Sequence, residues 1–168
     1  MLAAGALGKT IEAIEAAFAD VTYPGDANIT YDQGGSHLEC SQIASRLRGK
    51  GWRDLDLRFL IHERQSIFFM TPEAHAYYLP AYLIQGLVNY EQGGVNAADA
   101  ALHSLDPAAR SREEFETLIA PLTLTQRQAV AMFLRYLGEQ HGHEYPDKAP
   151  SKVLRAYWER FLPGGAHT

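Results

Sequence analysis

The fold is decided by residues 71–90, which read TPEAHAYYLPAYLIQGLVNY. Thr71, Pro72 and Glu73 predict a helix start, because threonine caps a helix N-terminus, proline suits the first helical position, and an acid favours the positive end of the helix dipole. From there to about Tyr90 apolar residues cover most sides of the helix, which predicts a central, buried helix. Pro80 removes one backbone hydrogen bond inside it, so we expect a kink or a break at that point.

Amphipathic helices are predicted on both sides of this segment. Apolar residues recur at helical spacing in five further places, namely residues 14–21, 40–47, 115–122, 130–137 and 154–161. Polar residues before these segments predict the N-terminal caps, which are Thr10, Ser36, Ser111, Thr125 and Ser151. A shorter helix is expected through residues 97–105, and a structured loop through residues 23–32.

Residues 55–61 fit two interpretations. Leu55, Leu57, Phe59 and Ile61 alternate as in a strand, whereas Leu57, Leu60 and Ile61 share one helical face. The sequence offers no other convincing strand with which to pair, so the helix is preferred.

The chain is therefore predicted to be all-α. We expect a single compact domain over residues 1–168, with about six to eight helices around the central Pro-kinked apolar helix and with mobile ends at 1–8 and 163–168. A length of 168 residues suits one domain, and 46% hydrophobic with 21% charged residues is typical of a globular protein.

Charge and hydropathy argue against two classes of partner. The net charge is −5, and the candidate basic stripe at residues 148–160 is partly offset by Asp147 and Glu159, so nucleic-acid binding is not expected. The longest apolar run, residues 76–84, is far shorter than the roughly 20 residues of a membrane span. We find no secretory signal and expect a cytoplasmic protein.

Neither a metal nor a cofactor is expected. Cys40 is the only cysteine, and the seven histidines lack the paired spacing of a zinc site, including His141 and His143 in a polar loop. No nucleophile elbow and no phosphate-binding loop is present. Cys40 lies on the inner face of its helix, which predicts a small buried hydrophobe.

Residues 69–83 resemble the central signature of an uncharacterised bacterial family of small proteins, with the motif TPEAxxYYLPAYL. The resemblance extends in the same order to the Tyr23-Pro24-Gly25-Asp26 opening, the Gly49-Lys50-Gly51-Trp52 middle and the later helix from Gln126 to Leu134. It covers about residues 10–140. The family has no established activity, so the resemblance implies no catalytic residue.

Two groups of residues are candidates for a binding site. Around the Pro80 break lie Glu73, His75, Tyr77, Tyr78 and Tyr82, which could line a cleft with titratable groups. A simpler interpretation is preferred: Glu73 favours the helix dipole, His75 faces water, and the tyrosines pack with their hydroxyls hydrogen-bonded.

The last helix carries the second group, in which Arg155 and Arg160 lie close to Tyr157, Trp158 and Phe161. Arginine, tyrosine and tryptophan often anchor protein interfaces. Trp158 and Phe161 also lie on the inward stripe of this helix, and core packing is the preferred explanation for these two.

The leading functional hypothesis is a small acidic protein that acts by binding another protein, for example a toxin-neutralising immunity protein. The alternative is an enzyme or small-molecule binder of unrecognised type, with its site near the Pro80 break. A third hypothesis is a nucleic-acid binder that uses the C-terminal helix.

Overall fold

The computed structural model describes residues 2–32 and 36–164, with side chains from residue 5 onward. Its α-helices are α1 (Leu2–Ala17), α2 (Leu38–Leu47), α3 (Leu57–His62), α4 (Pro72–Val88), α5 (Val95–Ser104), α6 (Arg112–Ile119), α7 (Leu124–His141) and α8 (Ala149–Ala156). Short 3₁₀ turns connect them at Trp52–Asp54, Ser66–Phe69, Tyr90–Gln92, Pro107–Ala109, Gly142–Glu144, Pro146–Lys148 and Trp158–Phe161. The described ranges contain no strand, only an isolated antiparallel bridge between Thr30 and Met70. The all-α, single-domain prediction is confirmed.

Helix α4 is the central element, as its apolar sequence predicts. The Thr71 hydroxyl accepts a hydrogen bond from the Ala74 amide at 3.0 Å, and it donates one to the Asn28 carbonyl at 2.9 Å. The helix contacts α1, α3, α5 and α6, and most of its residues are buried. It runs through Pro80 to Val88 without interruption. Of the two expected effects of Pro80, the break is wrong, because the buried contacts along α4 keep the helix continuous across the missing amide. The kink stays a prediction.

Helices α4 and α5 approach each other closely through small residues. A Cβ atom added to Gly86 would lie 2.9 Å from both the Cα and the amide nitrogen of Ala98. Ala97, Ala98 and Ala101 are fully buried in the same contact region. The missing side chain at Gly86 therefore permits the backbone contact that holds these helices together.

Helix α7 organises the other half of the molecule. It contacts α1, α8 and the turn Trp158–Phe161. Trp158 is fully buried, and its indole N–H donates to the Leu105 carbonyl at 2.9 Å. This bond ties the C-terminal turn to the end of α5.

Four of the predicted helix starts are displaced. Thr10 lies inside α1, where its hydroxyl donates to the Ala6 carbonyl at 2.8 Å instead of capping the helix. Helix α2 is capped by His37, whose Nδ1 accepts from the Cys40 amide, and not by Ser36. Ser151 lies within α8, which begins two residues earlier, with Pro150 in its first turn.

The start of α7 is displaced by two residues. Thr123, and not Thr125, forms a reciprocal capping box with Gln126. The remaining predicted cap, Ser111, is confirmed and forms the same reciprocal arrangement with Glu114.

The ambiguous and irregular regions follow the preferred predictions. Residues 57–62 form α3, so the helical interpretation of residues 55–61 is confirmed. The segment after α1 is a loop in which Gly25 adopts a φ of 99°. Cys40 is buried in α2 as expected. Residues 2–8 form the first turns of α1, whereas Met1 and residues 165–168 lie outside the described residues; the predicted mobility of the ends stays a prediction.

Candidate functional site

The first candidate group lies mainly inside the core. His75 is fully buried, so the interpretation that it faces water is wrong. Its Nε2 lies 3.0 Å from the hydroxyl of Ser104, which itself donates to the Ala101 carbonyl at 2.8 Å. The serine hydroxyl therefore accepts from the Nε2–H of a neutral imidazole. Sequence periodicity could not place His75, because α4 is buried on nearly every side.

The tyrosines of this group brace α4 against neighbouring loops. The Tyr78 hydroxyl donates to the Leu47 and Lys50 carbonyls at 3.1 and 2.8 Å, and Tyr82 donates to the Glu63 carbonyl at 2.9 Å. Burial is the main cause of the raised pKa of both Tyr78 and Tyr82. Both hydroxyls are thus neutral structural donors.

The other two members of the group lie nearer the surface. Tyr77 is half-buried and packs edge-to-face on Tyr23 and Tyr78, with centroid distances of 5.5 and 4.9 Å. Glu73 is exposed in the first turn of α4. The structure therefore does not gather the five residues around one cleft.

The second candidate group is divided between two elements. Helix α8 ends at Ala156, and Arg155 and Arg160 are both exposed on either side of the irregular residue Tyr157. The Arg160 guanidinium lies over the Tyr157 ring at 4.5 Å, and its Nε donates to the Tyr157 carbonyl. Trp158 belongs to the core and Phe161 packs against it, as their inward spacing suggested.

A groove of about 860 Å³ lies where the end of α2 meets α3. We call it the α2–α3 groove, and its lining includes Arg46, Lys50, Asp54, Asp56, Leu57, Arg58, Phe59, Ile61, His62, Glu63, Arg64 and Gln92. It is open to solvent and its wall is partly apolar. Such a shape suits an extended segment of another molecule.

The base of the α2–α3 groove is anchored by a buried carboxylate. The side chain of Glu63 is only 2% exposed and forms a salt bridge with Arg46. An Arg46 Nη2 donates to Glu63 Oε2 at 3.1 Å, and the Ser66 hydroxyl donates to the same oxygen. Glu63 Oε2 therefore has two hydrogen-bond donors, whereas the buried Oε1 has only its ion-pair contact with Arg46. Arg46 is committed to holding this carboxylate.

The remaining cations of the groove are not committed in this way. Lys50 lies over the Phe59 ring, with its Nζ 4.3 Å from the centroid. Arg64 donates only to the Ile61 carbonyl of its own turn, at 3.0 Å. Within the described ranges, Lys50, Arg58 and Arg64 form no ion pair with a carboxylate.

The carboxylates of the wall serve the backbone. Asp54 Oδ2 accepts from the Gly51 amide at 3.0 Å, and Asp56 Oδ1 accepts from the Phe59 amide at 2.8 Å as the cap of α3. The cations Lys50, Arg58 and Arg64 are thus available to an anionic partner.

The segment that contributes most of the groove lining is basic, although the net charge of the whole chain is negative. Residues 46–64 contain six lysines and arginines against three acids, a net charge of +3. Arg48 and Arg53 are not among the lining residues, so the lining itself has four of these cations and all three acids, a net charge of +1. The rest of the chain has nine basic and seventeen acidic residues, and so carries −8. A charge count in short windows identifies the basic segment, whereas the total of −5 conceals it.

The comparison with family models matches residues 7–162 to a family of unknown function, DUF6714. The chain belongs to this family. The match confirms the resemblance to an uncharacterised family and extends beyond the expected residues 10–140. No curated protein and no solved structure matches the chain.

The described residues provide neither a membrane-spanning helix nor a cluster of metal ligands. None of their helices is long and apolar enough to cross a membrane. Nor do those residues contain a group of three or more histidine, cysteine, aspartate or glutamate side chains that could hold a metal ion.

Proposed function

We propose that this member of DUF6714 acts by binding another protein, and that the α2–α3 groove holds an acidic segment of that partner. The observation that carries the proposal is the set of three cations, Lys50, Arg58 and Arg64, which lack carboxylate partners and line one groove. The half-buried Phe59 lies in the same groove, with Lys50 over its ring. Arginine and aromatic side chains are enriched in protein interfaces, and unpaired surface charges steer a complementary partner.

A protein segment fits the groove better than a nucleic acid does. Asp54 and Asp56 lie in the same wall as the three cations. A nucleic-acid backbone places a negative charge at every step and would face these carboxylates, whereas a polypeptide can space its acids to avoid them. The apolar wall formed by Leu57 and Phe59 also favours a segment with an apolar side chain.

Affinity capture from the source cells, followed by mass spectrometry, tests the proposal. Wild type is compared with Arg58→Glu, which reverses a cation of the groove, and with Arg112→Glu, which reverses an exposed arginine on α6 as a matched control. We expect one partner to be recovered with wild type and with Arg112→Glu and to be lost with Arg58→Glu. The bound segment of that partner should be acidic, and its affinity should fall with added salt.

The C-terminal turn, with Arg155 and Arg160, is the competing candidate for the interface. The double variant Arg155→Glu, Arg160→Glu reverses the two exposed cations at the C-terminal turn. If this variant loses the partner while Arg58→Glu retains it, the interface lies at the C-terminal turn and the groove is not the binding site. Recovery of no specific protein by wild type would count against the binding function itself.

The specific form of the proposal is a toxin-neutralising immunity protein that works in the bacterial cytoplasm. Its supports are the small size and the resemblance to a bacterial family. The captured partner, expressed alone, should then arrest growth, and coexpression of this chain should restore it. Normal growth of cells that express the partner alone would contradict the immunity role and leave the binding function to be judged by the capture experiment.

The alternative of an enzyme or small-molecule site near Pro80 gains no comparable support. The hydroxyls of Tyr78 and Tyr82 are used by backbone carbonyls, and His75 is enclosed. The α2–α3 groove is lined by no residue of α4.

A further inference from the structure

A second cavity lies beside the groove, between the turn Ser66–Phe69, α5 and the turn Pro107–Ala109. It encloses about 460 Å³, and its lining includes Arg64, Phe68, Asn96, Asp99, His103 and Arg110. We call it the Arg110 cavity. Two guanidinium groups in one small cavity indicate a site for an anion.

Arg110 is held in place by the core. Its Nη1 donates to the Ser104 carbonyl at 2.7 Å, and the Ser104 side chain is itself bound to the buried His75. This chain of contacts fixes the guanidinium through α5 and α4. Its other N–H groups have no hydrogen-bond partner among the described residues.

The charge of Arg110 is incompletely compensated. The side chain is half-buried, and desolvation lowers its pKa, against the weaker attraction of Glu114 and Asp106. Across residues 2–32 and 36–164 no carboxylate lies within the ion-pair distance of 4.0 Å from it. A cation that is partly removed from water and has no paired anion is costly, and a bound anion would offset that cost.

Arg64 lies in the wall of the same cavity and is anchored in a similar way, with Nη1 on the Ile61 carbonyl. The carboxylate in this wall, Asp99, lies against His103, with Oδ1 and Nδ1 3.3 Å apart. Phe68, which is 39% exposed, also lines the cavity. The cavity thus offers charge-assisted donors next to an apolar surface.

We propose that the Arg110 cavity binds a small organic anion, with its carboxylate or phosphate group held by Arg110 and Arg64 and its apolar body packed on Phe68. The site does not depend on the proposed function, because Arg110 lines the second cavity and not the α2–α3 groove. Arg64 belongs to both walls, so an anion bound in the Arg110 cavity would compete with a partner for that one arginine.

Calorimetric titration and thermal unfolding at constant ionic strength test the site, with benzoate, phenyl phosphate and inorganic phosphate as probes. We expect saturable binding of at least one aromatic anion and a matching rise in Tm. Whether benzoate or phenyl phosphate binds more tightly identifies the preferred head group. Inorganic phosphate lacks a surface to pack on Phe68 and should bind more weakly than phenyl phosphate.

Three glutamine variants decide the location. Arg110→Gln and Arg64→Gln should each weaken binding about tenfold, because each removes a charge-assisted contact. Arg112→Gln is the control, because Arg112 is highly exposed and lies outside the cavity. This variant should bind the anion with the affinity of wild type. If Arg110→Gln does not fold, the exposed Arg64→Gln variant decides alone.

Three results would overturn the proposal. The first is that none of the three anions shows saturable binding. The second is that Arg64→Gln, and Arg110→Gln where it folds, bind the anion with the affinity of wild type. The third is that Arg112→Gln loses as much affinity as the two cavity variants. The Arg58→Glu variant separates this site from the partner groove, because it should leave anion affinity unchanged while it abolishes partner capture.

Discussion

Acidification from about pH 7.5 to about pH 5 is expected to remove about 2 kcal/mol of unfolding free energy through His75 alone. His75 is fully buried, and its burial, with a smaller contribution from the Arg110 guanidinium, lowers its pKa from 6.5 to about 3. The folded protein therefore keeps this imidazole neutral at pH 5, whereas the unfolded chain takes up a proton below about pH 6.5. Above about pH 6.5 the imidazole is neutral in both states and the free energy of unfolding is not reduced. The free energy of unfolding then falls progressively as the pH drops towards 3.

The magnitude follows from the pH interval. From pH 6.5 to pH 5 is about 1.5 units, and each unit corresponds to about 1.4 kcal/mol. The result changes little if the folded pKa is one unit higher, because the folded imidazole is then still mostly neutral at pH 5. Carboxylates also titrate in this interval, so the contribution of His75 must be separated by a variant.

His75→Gln is the matched variant, since the glutamine Nε2 can replace the imidazole Nε2 as the donor to Ser104 without titrating. Unfolding in urea, followed by tryptophan fluorescence at several pH values, gives the free energy of each protein. Wild type should lose about 2 kcal/mol more than His75→Gln between pH 7.5 and pH 5. Parallel pH dependences for the two proteins would refute the reasoning.

Three further substitutions test the packing. Gly86→Ala should lower the free energy of unfolding by about 1–3 kcal/mol, because the added Cβ meets the α5 backbone. Gly5→Ala in α1, where nothing lies within 4 Å, should raise it by about 0.5–1 kcal/mol. Thermal unfolding compares the two variants. Glu63→Gln should lower the free energy of unfolding in chemical denaturation by about 1–3 kcal/mol, because it weakens a buried ion pair. Glu116→Gln on the exposed face of α6 is the control and should have no measurable effect. Unchanged stability in Glu63→Gln would show that the groove does not depend on that anchor. Trp158→Phe should cost about 2 kcal/mol by removing a buried indole and its bond to a backbone carbonyl, and a midpoint in urea equal to that of wild type would contradict this role.

Much of the helical architecture could be predicted because local chemistry decides it. Thr71, Pro72 and Glu73 act within one turn, so their prediction needs no tertiary information and is confirmed. Ser111 and Glu114 form their capping box for the same reason. Local signals of this kind are reliable where one frame alone fits.

Where two frames fit, a distant contact decides between them. Residues 123–128 offer both Thr123 with Gln126 and Thr125 with Gln128 as a capping pair. The first frame is adopted, and there the Gln126 amide also donates to the Ala17 carbonyl at the end of α1, at 3.2 Å. A contact across more than a hundred residues is invisible to local pattern analysis.

The candidate sites were harder to predict than the fold. His75, Tyr78 and Tyr82 carry polar atoms that their neighbours satisfy in the folded state, and the sequence does not show those neighbours. The α2–α3 groove depends on residues 46–64 folding back as two short elements, with Glu63 buried beneath Arg46. Its local charge is readable from the sequence, but its concave shape is not.

Hydrogen–deuterium exchange of the complex tests the central claim, that the α2–α3 groove is the binding face. The protein is labelled alone and with its captured partner, and amide protection is mapped along the chain. We expect the partner to slow exchange within residues 46–64 and to leave residues 149–160 unchanged. Protection confined to residues 149–160, with residues 46–64 exchanging as in the free protein, would contradict it.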